Sequence, residues 1–225
     1  MRRLLPLALS ISAAVACGSG NGGSGSTGPS GANTTPYSLS ADSAILDRTV
    51  PIGTSLETSV HVALNGQPAA SVTVNWVATA GNGSVSASTS PTDANGVASI
   101  VWKLSDTAKV SMLTATAGTG SVNITATSTP GPPTAISAAS ADSTVLVAGA
   151  STLLSVRVVD SFGNRVPGIQ VNWAASGGSL STTSSTTGSA GNADVVFMTG
   201  TAPASYSVTA TAPGLTPISF KVVSF

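Results

Sequence analysis

From residue 37 onward, the chain alternates apolar and polar positions with a period of two. Val72, Val74 and Trp76, for example, alternate with Thr73 and Asn75. The same alternation marks residues 56–64, 98–104, 122–126, 154–158, 169–173, 193–197, 206–210 and 218–222. Turn-forming residues bound these runs, and such a period is typical of strands with one buried face. Because no helical period interrupts the pattern, we predict an all-β chain.

The whole pattern occurs twice, with an internal period of about 95 residues. Val74-Asn75-Trp76 returns as Val171-Asn172-Trp173, and Thr114-Ala115-Thr116-Ala117 returns as Thr209-Ala210-Thr211-Ala212. A fixed period of this length indicates that one domain has been duplicated. Large aromatic side chains on inward strand faces bury much apolar area. Four of them are predicted to anchor the two cores: Trp76, Trp102, Trp173 and Phe197.

A proline-rich segment at residues 130–134 separates the two copies. Proline fixes the backbone and removes an N–H donor, so we predict a short, stiff linker there. The flanking domains then span residues 37–129 and 135–225, each close to the size of one immunoglobulin-like (Ig-like) β-sandwich. Prolines and a few charges such as Lys103 and Lys221 are expected to protect the sheet edges.

The N-terminus has the features of an export signal. Arg2-Arg3 precedes an apolar stretch at residues 4–16, which is too short for a membrane-spanning helix of about 20 residues. We therefore predict a signal peptide over residues 1–16. Residues 17–36 are then a flexible tether, because their Gly/Ser-rich composition cannot bury enough apolar surface to become ordered.

Cys17 is the single cysteine of the chain, and it follows small residues at the end of the predicted signal peptide. This arrangement resembles the lipobox of bacterial lipoproteins, with Ala14 where leucine is usual. The resemblance implies that Cys17 becomes a lipidated N-terminus, which makes the membrane a partner through the lipid. The alternative is an ordinary signal peptide cut near Ala16, which would leave a free thiol.

Each copy carries an ordered set of motifs. The second copy has Asp160-Ser161-Phe162-Gly163-Asn164 ahead of Val171-Asn172-Trp173. The first copy has Thr92-Asp93-Ala94-Asn95-Gly96 ahead of Leu113-Thr114-Ala115-Thr116-Ala117. Together these motifs resemble the bacterial Ig-like domain of group 1, the repeat found in intimin and invasin. Each copy departs from the pattern at one place: the first has residues 64–68 instead of the Asp-x-x-Gly-Asn motif, and the second has residues 188–192 instead of Thr-Asp-Ala-Asn-Gly.

The resemblance implies two tandem Ig-like β-sandwiches that serve as a stalk, spacer or structural component of the bacterial cell surface. The lectin-like tip and the β-barrel of intimin and invasin have no counterpart in this sequence. We therefore expect an exported, non-enzymatic protein of the cell envelope, at the outer membrane or cell surface. The alternative is an adhesin, or a module that binds a surface glycan or protein through a sandwich edge or end loops. Tyr37 and Phe162 are the aromatic residues that the inward pattern does not place.

Composition removes several other functions. Only 7% of the residues are charged and the net charge is zero, so no basic patch is expected to bind nucleic acid. His61 is the single histidine and alternates outward, which does not favour a catalytic or metal site. Asp93 and Asp160 lie in turn motifs where they would cap the backbone, with a calcium ligand as the minor alternative. We expect no catalytic residue, cofactor or metal.

Overall fold

A computed structural model describes residues 34–43 and 46–225, and all of its regular structure is β. The predicted signal peptide, Cys17 and nearly all of the tether lie outside the described residues. Both sandwiches belong to one compact unit. The prediction of an all-β chain with two tandem Ig-like sandwiches is confirmed.

The first sandwich is built from ten strands in two sheets. They are β1 (Ser38–Ala41), β2 (Arg48–Pro51), β3 (Ser55–Leu64), β4 (Gln67–Pro68), β5 (Thr73–Ala78), β6 (Ser84–Val85), β7 (Thr89–Pro91), β8 (Val97–Lys103), β9 (Val110–Ala117) and β10 (Gly120–Thr129). One sheet has the order β1-β3-β8-β6, with β4 also paired to β3. The other has the order β2-β10-β9-β5-β7.

The second sandwich repeats this arrangement with nine strands. They are β11 (Ala135–Ala138), β12 (Ser143–Leu146), β13 (Ser151–Val159), β14 (Gln170–Ala175), β15 (Ser179–Leu180), β16 (Ser184–Thr186), β17 (Asn192–Met198), β18 (Ala204–Thr211) and β19 (Ile218–Ser224). The sheets have the orders β11-β13-β17-β15 and β12-β19-β18-β14-β16. In each sandwich one pair is parallel, β2 with β10 and β12 with β19, and the remaining named pairs are antiparallel. The duplication inferred from the sequence therefore extends to strand order.

Each sandwich encloses its own core. Alternate residues of β5 and β8 point inward, as the pleat of a strand requires, and they meet the inward face of the opposite sheet. Trp102 and Phe197 are fully buried at equivalent places in the two cores. Trp76 is 2% exposed and Trp173 is 4% exposed. Buried apolar residues thus form two clusters, one on each side of the proline-rich segment.

The expectation that Lys103 and Lys221 protect sheet edges is wrong. Lys103 lies on β8, between β3 and β6, and Lys221 lies on β19, between β12 and β18. The edges are protected by shortness instead, since β6 and β15 have two residues each and β7 and β16 have three. Short edge strands offer few unpaired backbone groups to another chain.

Candidate functional site

The polar groups that converge most closely lie where the two sandwiches meet. We call this place the junction: the β8–β9 loop at residues 104–109, the linker at residues 130–134, and the turn Asp160–Asn164 that follows β13. Asn164 uses both ends of its amide on the first sandwich. Its Oδ1 accepts a hydrogen bond from the N–H of Ala108 at 2.9 Å, and its Nδ2 donates to the carbonyl of Asp106 at 2.8 Å.

Asp160 supports the side chain of Asn164 and also binds the linker. Its carboxylate is buried, with the residue 3% exposed, and it accepts four hydrogen bonds of 2.9 Å. Oδ1 binds the backbone N–H groups of Phe162 and Asn164. Oδ2 binds the side-chain Nδ2 of Asn164 and the N–H of Gly131 in the linker. A buried charge needs such complete pairing to be tolerated.

Local sequence explains why the chain turns here. The N–H of Asp160 donates to the carbonyl of Asn164, and the N–H of Gly163 donates back to the carbonyl of Asp160. Gly163 has a φ of 81°, a conformation that glycine adopts without steric cost. Aspartate at the first position caps the backbone two and four residues later, as Asx turns do.

Burial raises the pKa of Asp160, and the hydrogen bonds from the Asn164 side chain and from the N–H groups of Gly131, Asn164 and Phe162 lower it. The net effect is a pKa below the ordinary value for aspartate. The carboxylate is therefore ionised at neutral pH, and its charge is neutralised by amide dipoles instead of a cationic side chain.

The same five-residue turn occurs in the first sandwich at Asp93. Its Oδ1 accepts hydrogen bonds from the N–H groups of Asn95 and Val97, at 2.8 and 2.9 Å. The backbone bonds from Asp93 to Val97 and from Gly96 to Asp93 also match those of the Asp160 turn. Asp93 is exposed, and the Val97 N–H bond is the largest cause of its lowered pKa.

A third copy of this turn has glycine in the first position. Gly188 N–H donates to the carbonyl of Asn192 at 3.0 Å, and Gly191 N–H donates to the carbonyl of Gly188 at 2.8 Å. The sequence departure at residues 188–192 thus preserves the backbone turn and loses only the aspartate that caps it.

The carboxylates at Asp93 and Asp160 are occupied by N–H donors, which does not favour calcium, a cation that requires six to eight oxygen ligands. Across residues 34–43 and 46–225, no group of three or more His, Cys, Asp or Glu side chains could hold a metal ion. His61 is exposed on β3. Among the described residues, no helix has the length and apolar character needed to cross a membrane.

The two aromatic residues that the inward pattern did not place have different environments. Tyr37 is half-buried and packs against the first core. Phe162, at the tip of the Asp160–Asn164 turn, is 60% exposed.

Three exposed apolar residues form a patch on part of the outer face of one sheet of the second sandwich. Leu153 on β13 lies opposite Val196 on β17, and Met198 follows two residues along the same face. Leu153 is 56% exposed and Met198 is 48% exposed. The equivalent positions of the first sandwich, with Glu57 opposite Val101, carry a charge. The patch is therefore a property of the second copy alone.

Two tandem Ig-like sandwiches with matching strand orders define the class of this protein. Residues 137–225 match the bacterial Ig-like domain (group 1). The match covers nearly all of the second sandwich, and the resemblance inferred from the sequence is confirmed.

Several solved structures resemble this chain. InvD of Yersinia pseudotuberculosis has a TM-score of 0.52 and 18% identity, over 85% of this chain and 58% of that one. The D0-D1 domain of intimin has a TM-score of 0.34 and 21% identity, over 85% of this chain and 98% of that one. Invasin, described as a bacterial integrin-binding protein, has a TM-score of 0.40 and 18% identity, over 84% and 40%. The likeness to InvD shows a common fold. No curated protein matches the sequence.

Proposed function

We propose that this chain is a non-enzymatic protein of the bacterial cell surface, in which two Ig-like sandwiches serve as a stalk or spacer held to a membrane by a lipid on Cys17. The observation that carries the proposal is how the polar groups at the junction are used. Asp160 and Asn164 form the densest polar cluster described above, and all of its hydrogen bonds join one part of the chain to another. Groups committed in this way support a structural role.

Two polar contacts in the cores agree with this proposal. The indole N–H of Trp76 and that of Trp173 each donate to a serine on a neighbouring strand. His61 and Asp93 are both exposed. Acid–base or nucleophilic catalysis requires several groups that converge on one reacting atom.

The lipid anchor is tested by fractionating cells that express the full chain. Cys17→Ala should move the protein from the membrane fraction to the soluble fraction, because no acyl chain can then be attached. Ala14→Leu is the matched control: it restores the usual leucine of the lipobox and should leave the protein in the membrane, with a lipid adduct detectable by mass spectrometry. Unchanged membrane association of the Cys17→Ala protein would contradict lipid anchoring.

A second candidate function is adhesion, and the apolar patch at Leu153 and Met198 favours it. Exposed apolar clusters on soluble domains mark binding surfaces more often than isolated apolar residues do. The partner would be a surface glycan or a protein.

An array of glycans and matrix proteins, probed with the full chain, separates the two functions. The double variant Leu153→Glu with Met198→Lys copies the first sandwich at these positions, so it should keep the fold. If the protein is an adhesin that uses this patch, a ligand will bind the native chain and the double variant will lose it. A stalk should give no specific ligand with either protein.

A further inference from the structure

We propose that the Asp160–Asn164 turn is an interdomain latch, in which Asn164, positioned by Asp160, fixes the orientation of the second sandwich on the first. The proposal goes beyond the stalk function and stands on the junction geometry alone. Failure of the fractionation test on Cys17 would leave it intact.

The contact between Asn164 and the first sandwich uses backbone groups as partners. Asn164 binds a main-chain N–H at Ala108 and a main-chain carbonyl at Asp106, through the two ends of one planar amide. Two hydrogen bonds on a planar group restrain rotation as well as distance, as bidentate contacts do. Because both partners are backbone groups of one short loop, the contact fixes Asn164 relative to that loop.

Asp160 holds the side chain of Asn164 in place. Asn164 Nδ2 donates to Asp160 Oδ2 as well as to Asp106, so the amide plane is held from within its own turn. The same Oδ2 accepts the N–H of Gly131. One buried carboxylate therefore joins the linker to the turn, and the turn joins the second sandwich to the loop of the first.

Within the described part of the chain, the first sandwich contains the same turn without an interdomain contact. The Asp93 turn has the same Oδ1 bonds and the same two backbone bonds as the Asp160 turn. The fifth residue of the Asp93 turn, Val97, is the first residue of β8. The Oδ2 atom of Asp93 has one hydrogen-bond partner among the described residues, Nδ2 of Asn95 at 3.5 Å. The turn is thus complete without a buried Oδ2 and without an asparagine in the fifth position. The additional hydrogen bonds of the Asp160 turn are made with the linker and with the first sandwich.

The equivalent connection in the first sandwich is shorter. There β3 and β4 are joined by Asn65 and Gly66, with φ of 53° and 78°, the conformation of a two-residue hairpin. In the second sandwich the five-residue turn replaces this hairpin, and the bridge between Val159 and Arg165 takes the place of the β3–β4 pair. This longer turn lies next to the linker, where it contacts the first sandwich.

Two domains joined by a short linker are expected to move relative to each other unless their interface restrains them. The latch makes a measurable difference to that motion. Asn75 and Asn172 are exposed, equivalent residues of β5 and β14, so cysteines at these positions can carry spin labels without disturbing either core. The labelled chain also carries Cys17→Ser, so that only the two introduced thiols react.

The experiment measures the distribution of distances between the two labels by pulsed electron paramagnetic resonance. We expect Asn164→Ala to broaden the distribution about twofold, as free domain motion would. Asp93→Asn is the matched control and should leave the width unchanged, because the same type of turn is altered away from the junction. Circular dichroism and thermal unfolding establish that both sandwiches remain folded.

A second variant decides the matter if Asn164→Ala destabilises the second sandwich. It replaces residues 160–164 by Leu-Asn-Gly-Gln, the four residues that lie between the equivalent pair, Ala63 and Pro68, in the first sandwich. This variant should also broaden the distribution. A folded variant of either kind with a distribution as narrow as that of the native chain would overturn the proposal.

Discussion

The indole Nε1 of Trp76 donates a hydrogen bond to Oγ of Ser90 at 2.9 Å, across the pair of β5 and β7. The second sandwich repeats the contact between Trp173 and Ser185 at the same distance. A buried tryptophan N–H usually has a hydrogen-bond partner, because leaving it unpaired is costly. The duplication therefore preserved a hydrogen-bonded pair as well as an apolar volume, and the serine is part of what allows the aromatic residue to lie there.

Removing either indole should destabilise the sandwich that contains it. We expect Trp76→Ala and Trp173→Ala each to lower the free energy of unfolding by about 3–5 kcal/mol, the cost of emptying a packed aromatic site. Denaturant titration of the full chain, followed by circular dichroism, measures the change. Trp173 is the one tryptophan beyond the linker, so fluorescence of a chain with Trp76→Phe and Trp102→Phe follows the second sandwich by itself.

The matched controls for these substitutions are Ser90→Ala and Ser185→Ala. Each leaves the indole in place and removes its hydrogen-bond acceptor, so it should cost about 1–3 kcal/mol, less than loss of the ring. A change below about 1 kcal/mol for either tryptophan-to-alanine variant would be inconsistent with a core role.

A buried threonine just after a short edge strand binds the segment that precedes the neighbouring strand in each sandwich. Oγ1 of Thr92 accepts the N–H of Val72 and donates to the carbonyl of Ala69. Thr187 makes the equivalent bonds with Ile169 and Val166. We expect Thr92→Val and Thr187→Val to lower stability by about 1–3 kcal/mol, because each leaves two backbone groups without their partner.

Serine at these positions keeps the hydroxyl and loses only the methyl group. Thr92→Ser and Thr187→Ser should therefore be less destabilising than the valine variants, as measured by the same denaturant titration. The reverse order, with valine better tolerated than serine, would show that the methyl group matters more than the two hydrogen bonds.

Gly188 is a place where the second sandwich can be improved by copying the first. It opens the same turn as Asp93, its φ lies outside the left-handed region, and a Cβ built on it would meet no atom within 4 Å. Gly188→Ala should therefore stabilise by about 0.4–1 kcal/mol, through the lower entropy of the unfolded chain.

Gly188→Asp should stabilise further than Gly188→Ala, because the new carboxylate can accept backbone N–H groups as Asp93 does. The thermal midpoint of the second sandwich measures both effects. A Gly188→Asp midpoint at or below that of Gly188→Ala would mean that the turn cannot use the cap.

Much of the fold could be predicted from the sequence because a pleated strand has a period of two. Ile100 and Trp102 point inward for that reason alone. The pattern does not specify which strands are neighbours, so it did not reveal that Lys103 lies in the middle of a sheet. Tyr37 was also not predictable from alternation, since its packing depends on Gly118, where an added Cβ would lie 3.0 Å from the tyrosine ring.

The role of Asn164 could not be predicted from the sequence. The Asp-x-x-Gly-Asn motif indicates a local turn, and the Asp93 turn shows that such a turn needs no contact elsewhere. The partners of Asn164 are main-chain groups at Asp106 and Ala108, and any residue could supply them. Three strands, β11, β12 and β13, separate the motif from the linker, so the sequence gives no signal that the two meet.

The buried carboxylate of Asp160 should make stability depend on acid pH. Its pKa is lowered in the folded chain, because the N–H groups around it favour the ionised form more than burial opposes it. The stabilisation is therefore fully present above the unfolded-state pKa of about 4, and it is lost as the pH falls through the lower, folded-state value.

The difference in unfolding free energy between the native chain and Asp160→Asn should be constant near neutral pH and shrink below about pH 4. Asn164→Ala removes the strongest of the bonds that lower this pKa, so it should shift the carboxyl titration of Asp160, followed by NMR, to higher pH. A stability difference that stays the same from pH 7 to about pH 2 would contradict the assignment of a lowered pKa to this group.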